Sequence, residues 1–183
     1  MGLRSLPVQH GDAGKARNSG AEAARGTWVA FLDGDDLWGE NWLAAAFNAA
    51  NRDNRSIIWH PTANIYFGTQ RYLFLHVDME DEDFEVINLS FNNHWTALSF
   101  ARRELFLSLP YQASNLGGQV GYEDWSWNLE AISRGYLHKC VPQTVHAIRS
   151  HQRSLSQETT RRNALPAPTA LFRELILRGL PKR

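Results

Sequence analysis

TWVAFLDGDDLWGENWL, residues 27 to 43, carries a strand-like run from Trp28 to Leu32 straight into three carboxylates, Asp33, Asp35 and Asp36. Carboxylates this close repel one another and stay ionised together only beside a cation or hydrogen-bond donors. Asp33 and Asp35, one residue apart at the C-terminal tip of a strand, can share one divalent metal. Hard oxygen ligands on an open loop suit Mg²⁺ or Mn²⁺, and Mg²⁺ typically sits on one or two carboxylates plus substrate phosphates. DGDD is also good turn chemistry. Taken alone, these residues leave a metal site and a polar turn equally open. Trp38 and Trp42 follow as aromatic anchors.

Working outward, the 183 residues suit one domain with a sizeable core. A hydrophobic share of 43% and a charged share of 21% place the chain among ordinary globular proteins. Lys plus Arg equal Asp plus Glu at 19 each, so bulk charge gives no argument for nucleic acid. A lone cysteine, Cys140, excludes an intrachain disulfide and fits a reducing compartment. No signal-peptide core opens the sequence and no apolar run reaches membrane-spanning length, so a cytoplasmic location is expected. Seven tryptophans suit a core, and such side chains also build surfaces on which sugars and bases stack.

Upstream of the acidic loop, Ala13 to Arg25 reads as a helix with a small-residue face, stopped at Gly26. With the strand from Thr27 to Leu32 it begins an αβ alternation. A second helix is expected from Glu40 to Asn51, with Trp42, Leu43, Ala46, Phe47 and Ala50 as its apolar stripe. Strands are expected over 56–59, 64–67, 71–77, 84–91 and 96–101, with the acidic run from Asp78 to Glu85 as a solvated loop. After a glycine-bearing turn, Tyr122 to Arg134 reads as a helix and Lys139 to Ile148 as a strand. The segment after Ser156 is polar, then proline-bearing. It ends in a short amphipathic helix marked by Leu171, Phe172, Leu175 and Ile176. Residues 1–157 are therefore expected to form one domain and residues 158–183 a tail.

Two further clusters carry chemistry. Glu123 and Asp124 stand at the first turn of a helix, where capping and the helix dipole favour acids. Trp125 and Trp127 beside them suggest a lined cleft in which a carboxylate could serve as a general base. HAIRSHQRSLS, His146 to Ser156, is dense in groups that bind metals and phosphates. Other motifs fail. Gly14-Lys15 lacks the glycine and hydroxyl positions of a phosphate loop, and Leu37 and Trp38 break a calcium loop. No G-x-S-x-G elbow occurs.

Three segments in this order resemble the inverting family-2 glycosyltransferases of the GT-A fold. ARNSGAEAARGTWVAFLDGDDLW (Ala16 to Trp38) is similar to that family's helix–strand–DxD segment. GYEDWSWNLEAISRGY (Gly121 to Tyr136) resembles its acidic acceptor-side motif, and HAIRSHQRSLS its closing segment. The resemblance implies an α/β fold, a Rossmann-like nucleotide-diphospho-sugar transferase core with a mixed sheet flanked by helices. It implies that Asp33 and Asp35 hold a divalent metal, Mn²⁺ or Mg²⁺, with the donor diphosphate, and that Asp36 supports the loop. Asp124 would deprotonate the acceptor hydroxyl, with Glu123 positioning the acceptor or the loop. His151, ahead of His146, would contact metal or phosphate, and Arg17 and Asn18 would face the nucleotide-sugar pocket.

The partners implied are a nucleotide-diphospho-sugar donor and a glycan or lipid-linked acceptor, in polysaccharide or cell-envelope glycan synthesis, with no nucleic acid. Acceptor choice is expected to lie between Trp59 and Phe91 and in the loop before Gly121. The pattern departs from the family's at Glu40, where proline is common. It also departs at the front, where nothing before Gln9 supplies the nucleotide-binding βαβ portion. That departure predicts an N-terminally truncated sheet with an unpaired edge. Either the sequence is a fragment, or a second copy or partner chain supplies the front and covers the edge, or the protein is a remnant that no longer binds donor well. Basic residues of the last helix, Arg173 and Arg178 with Lys182 and Arg183 beyond, allow a peripheral contact at the inner face of a membrane. The rivals are a non-catalytic remnant or sugar-binding module of the same fold, and a phosphohydrolase of the haloacid-dehalogenase type, which VAFLDGDDL also resembles. The latter usually has Thr or Val at Leu37 and a later lysine and acidic pair that this sequence does not offer.

Overall fold

Residues 4–152 and 155–179 are described by a computed structural model. Arg153, Ser154, Pro181, Lys182 and Arg183 therefore lie outside the described residues. Helix α1 (Ala13–Ala23) starts where the Asp12 carboxylate accepts from Lys15 N, satisfying one of the free amides of the first turn. The same side chain accepts from Ser114 N at 2.9 Å, which ties the helix start to the loop before the acceptor-side motif. Strand β1 (Trp28–Ala30) then feeds the acidic loop, and β2 (Leu37–Trp38) and α2 (Trp42–Arg52) follow.

The long strand β3 (Ile57–Gly68) turns back through β4 (Tyr72–Leu75). A 3₁₀ turn (Val86–Ser90), β5 (Phe100–Arg102) and α3 (Arg103–Ser108) come next. After another 3₁₀ turn (Leu116–Gly118), α4 (Glu123–Ser133) and the long β6 (Leu137–Ser150) build the back of the molecule, and α5 (Leu155–Arg161) and α6 (Ala170–Gly179) close it. The strand order is β1-β5-β3-β6-β2, with β4 also paired to β3. β3 and β6 run parallel and every other pair is antiparallel, so the sheet is mixed.

The apolar clusters follow this layering. Val29, Ile58 and Ala101 meet Leu105 and Phe106 of α3 and Trp127 of α4. Trp42, Ala46 and Ala50 of α2 cover Ile57, Trp59 and Phe100, whereas Leu43 and Phe47 of the expected stripe face outward, because the buried face follows the i, i+4, i+8 row alone. Leu175 of α6 is buried with Leu89, Trp95 and Leu129, so the last helix packs into the body of the protein. No helix of the described residues is long and apolar enough to cross a membrane.

Several expected elements differ, each for a tertiary reason. Strands expected over 56–59 and 64–67 are one strand. Pro61 does not break it, because it sits where the β3–β6 register shifts and a missing amide costs little. The strand expected over 84–91 is a 3₁₀ turn that sends Leu89 fully inside, where the Leu89 carbonyl accepts from Trp125 Nε1 at 2.9 Å. The strand over 96–101 shrinks to three residues because Ser99 N turns back onto Ala97 O. Helices α3 and α5 had no clear periodic signal.

Beneath the cleft the two long strands carry buried histidines. His60 and His138 hydrogen-bond through Nε2 and Nδ1 at 2.9 Å. His76 donates from Nδ1 to Pro61 O at 2.8 Å, so its Nε2 is left to accept from Asn64 Nδ2 at 3.2 Å. His146 lies edge-on to Trp42, its ring centroid 4.7 Å away.

Candidate active site

Four elements converge on one cleft of about 370 Å³. Arg17 comes from the middle of α1, and the three aspartates from the loop at the end of β1. Arg149 and His151 come from the end of β6, and Glu123 and Asp124 from the head of α4. Arg17 joins the two acidic motifs. It donates from Nη1 to Glu123 Oε1 at 3.0 Å and from Nη2 to Asp33 Oδ1 and Oδ2 at 3.0 and 3.2 Å. Its side chain is only 10% exposed. Burial alone would lower its pKa, and the charges of Asp33, Glu123 and Asp124 more than reverse that, so the guanidinium stays charged.

Around the loop, Asp35 Oδ2 accepts from His151 Nε2 at 2.5 Å, which holds the Asp35 carboxyl below its ordinary pKa. Asp36 turns inward to 8% exposure, and its Oδ1 accepts from Arg149 N at 2.7 Å. Burial pushes its pKa up to about 6, with Asp35 and Asp33 adding repulsion and the Arg149 amide opposing it. The bond from Arg149 N fastens the loop to β6. Asp33 and Asp35 remain half exposed on the cleft side.

At the opposite wall, Asp124 Oδ1 accepts from Trp125 N at 2.8 Å and Oδ2 from Asn93 Nδ2 at 3.1 Å. Asn93 Oδ1 accepts in turn from Asn128 Nδ2 at 2.9 Å. This amide chain fixes the carboxylate's orientation, and no motif in the sequence singled out Asn93 or Asn128. Burial raises the Asp124 pKa well above the usual carboxylate range and Glu123 raises it further, while Arg17 pulls it back. Tyr122, just before the helix, has φ 53°, a left-handed conformation rare for a tyrosine. Packing holds it there. Its hydroxyl bonds Thr160 Oγ1 at 3.0 Å, and a Cβ on Gly121 would meet Thr159 Cγ2 at 2.5 Å.

Of the residues expected at the site, Arg17, Asp33, Asp35, Asp36, Glu123, Asp124 and His151 all line the cleft. Asn18 does not. It uses both ends of its amide on the backbone of Tyr111, donating to O at 2.9 Å and accepting from N at 2.8 Å. His146 is fully buried beside Trp42, away from that lining. Among the described residues, no group of three or more His, Cys, Asp or Glu side chains forms a ready cage for a metal.

The family model described as Glycosyl transferase family 2 matches residues 4–107, more than half of the 183. The match takes in Arg17 and the aspartate loop and stops before Glu123. Among solved structures the chain is similar to the crystal structure of S. aureus TarS 1-349. The identity is 13% and the TM-score 0.49, and the match covers 95% of this chain and 54% of that one. The chain thus spans about half the length of that structure. No curated protein matches the sequence.

Proposed function

Because the chain belongs to glycosyl transferase family 2, and its mixed, helix-flanked sheet is accordingly a GT-A core, we propose that it moves a sugar from a nucleotide-diphospho-sugar to an acceptor hydroxyl with inversion. The observation that carries this reading is Arg17. By gripping Asp33 and Glu123 at once, it sets the donor-side loop and the acceptor-side helix as two walls of one cleft. Asp124 then faces the donor loop from a buried position whose raised pKa suits a proton acceptor working near neutrality.

The donor set suits a hard divalent ion. Asp35 Oδ2 and His151 Nε2 lie together on half-exposed side chains and, once the bond between them opens and Nε2 presents its lone pair, would hold Mn²⁺ or Mg²⁺ together with diphosphate oxygens. Asp33 reaches the same ion only by releasing Arg17. A bound ion would supply charge neutralisation at the departing diphosphate. The protein's own residues do the rest. Asp36 keeps the loop on β6, and Arg149 lies at the cleft with its guanidinium over Phe67, 4.6 Å from the ring centroid. Asn93 aims the Asp124 carboxylate, whose oxygen takes the acceptor proton as the hydroxyl attacks the anomeric carbon from the face opposite the leaving group. One displacement without a covalent enzyme intermediate inverts the configuration.

The acceptor in this reading is a glycan or lipid-linked glycan of an envelope or polysaccharide pathway, met in the cytoplasm. One observation favours a second reading. With Asp33 on Arg17 and Asp35 on His151, both carboxylates of the DxD pair already have partners, as a non-catalytic sugar-binding module would leave them. Incubation with Mn²⁺, a panel of uridine- and guanosine-diphospho-sugars and short oligosaccharides decides between them. Release of nucleoside diphosphate, with a product anomer opposite to the donor's by NMR, is expected. A folded protein that binds the oligosaccharides without any such release would be the module.

A further inference from the structure

Tyr66 of β3 and Tyr72 of β4 are cross-strand partners whose rings lie 10° from parallel with centroids 4.2 Å apart. Both line the cleft that holds Asp36 and Asp124. Tyr72 is 48% exposed, so the stack stands open to that cleft instead of being sealed into the core. The hairpin that carries it is held firmly. Thr69 N donates to Ser150 O at 3.1 Å, and the Thr69 and Ser150 hydroxyls bond at 2.9 Å. Gly68, with φ 101°, passes so close that a Cβ would lie 2.6 Å from Ser150 O, a position only glycine fills. The platform is thereby fixed to the end of β6, next to His151. The Tyr66 phenol is held above its ordinary pKa by burial, then by Tyr72, and then by the negative charges of Asp124 and Asp36, which line the same cleft.

A flat, exposed aromatic face beside carboxylates matches one ligand chemistry closely. A pyranose offers a face of C–H groups to the ring and a rim of hydroxyls that donate to carboxylates. A nucleobase also stacks on aromatic side chains. The acceptor-rich edge of a uracil, however, would meet Asp36 and Asp124 with like polarity, whereas hydroxyl donors satisfy them.

We infer that Tyr72, backed by Tyr66, is the platform on which a pyranose ring of the acceptor stacks, turning one hydroxyl toward Asp124. This rests on the transferase reading and names the residue that positions the acceptor in the same cleft. The test is proton NMR of the full chain with the methyl glycosides of glucose, galactose and N-acetylglucosamine, and separately with uridine. At least one methyl glycoside should show upfield ring-current shifts confined to one ring face. Its affinity should fall by about tenfold or more in Tyr72→Ala and persist in Tyr72→Phe and Tyr72→Trp. Three results would overturn the platform: no methyl glycoside binds, binding survives Tyr72→Ala in a folded protein, or uridine is the ligand that loses its contacts. Failure of the transferase reading shows elsewhere, as an absence of Mn²⁺-dependent donor binding by the wild-type chain.

Discussion

Asp124→Asn should lower turnover by about 10²–10⁴-fold, the usual worth of a positioned general base, while donor affinity stays within about twofold. The substitution keeps the size of the side chain and the bond from Trp125 N, and it removes the proton-accepting charge. One local cost is expected, since the new amide would set a donor against Asn93 Nδ2. Asn93 cannot simply turn over, because its Oδ1 already accepts from Asn128. Circular dichroism and a thermal melt therefore accompany the kinetics. The base must be ionised to act, so wild-type kcat should fall as pH drops through the raised Asp124 pKa. That limb should vanish from the residual activity of the variant. An unchanged rate, or an unchanged pH profile, would remove Asp124 as the base.

The second large effect is on stability. His60, His76, His138 and His146 are buried, and burial holds each below its ordinary pKa, with neighbouring histidines adding repulsion for all but His76. The values fall to about 4 for His76 and to about 3 for His138 and His146. Depressed folded-state values mean stability that is present above the unfolded pKa of about 6.5 and is lost as pH falls below it, because only the unfolded chain takes up the protons. Asp36 and Asp124 work in the opposite sense, since their raised values let the native state bind protons in the same range. The balance is roughly two protons taken up on unfolding, or about 3 kcal/mol per pH unit between pH 6 and 5. Against a typical stability of about 5–15 kcal/mol, the roughly 6 kcal/mol lost between pH 6 and 4 should bring a fold of ordinary stability toward a cooperative acid transition.

Tryptophan fluorescence against pH would follow that transition. His146 has neither ring nitrogen bonded. His146→Phe should therefore move the acid midpoint downward and reduce the proton uptake by about one. A stability to denaturant that does not fall between pH 6 and 4, or an acid midpoint that His146→Phe leaves in place, would contradict the assignment of these rings as neutral and buried.

Much of the site was legible because its residues are clustered along the chain. The aspartate loop announces itself by three acids at the end of an apolar strand, and Glu123 and Asp124 by their place at a helix start. What spacing along the chain does not carry is the joining of those clusters. Arg17 was expected at the pocket only through the family resemblance, and its joining role appears only when Asp33 and Glu123, 106 residues from it in the latter case, come within 3.0 Å. Asn18, beside it, read as a pocket residue and instead clamps Tyr111. Asn93, Tyr66 and Tyr72 sit in segments without a motif, Asn128 lies in the acidic-helix segment but was not singled out there, and their meaning depends on tertiary placement. The pairing of Tyr66 with Tyr72 is set by where the hairpin turns, and that is fixed by Gly68 against Ser150.

The fold shows the same division. The helix with the Trp42, Ala46 and Ala50 stripe was readable, because a helix buries one face by local periodicity. The stretch from Val86 to Ser90 was not. Leu89 is drawn inside by Trp95, Leu129 and Leu175, and the chain curls to deliver it. α6 was visible as an amphipathic pattern, yet nothing local says that Leu175 would fill a core built from α4.

The central claim is that the aspartate loop and the α4 acids form one donor-binding, sugar-transferring cleft. Its most direct test is calorimetric titration of a nucleoside-diphospho-sugar into the protein with and without Mn²⁺, alongside Asp35→Ala. Binding that requires Mn²⁺ and disappears in a folded Asp35→Ala protein is the predicted result. Donor binding that is equally strong without the metal and indifferent to Asp35, or no donor binding by the folded wild-type chain, would contradict it.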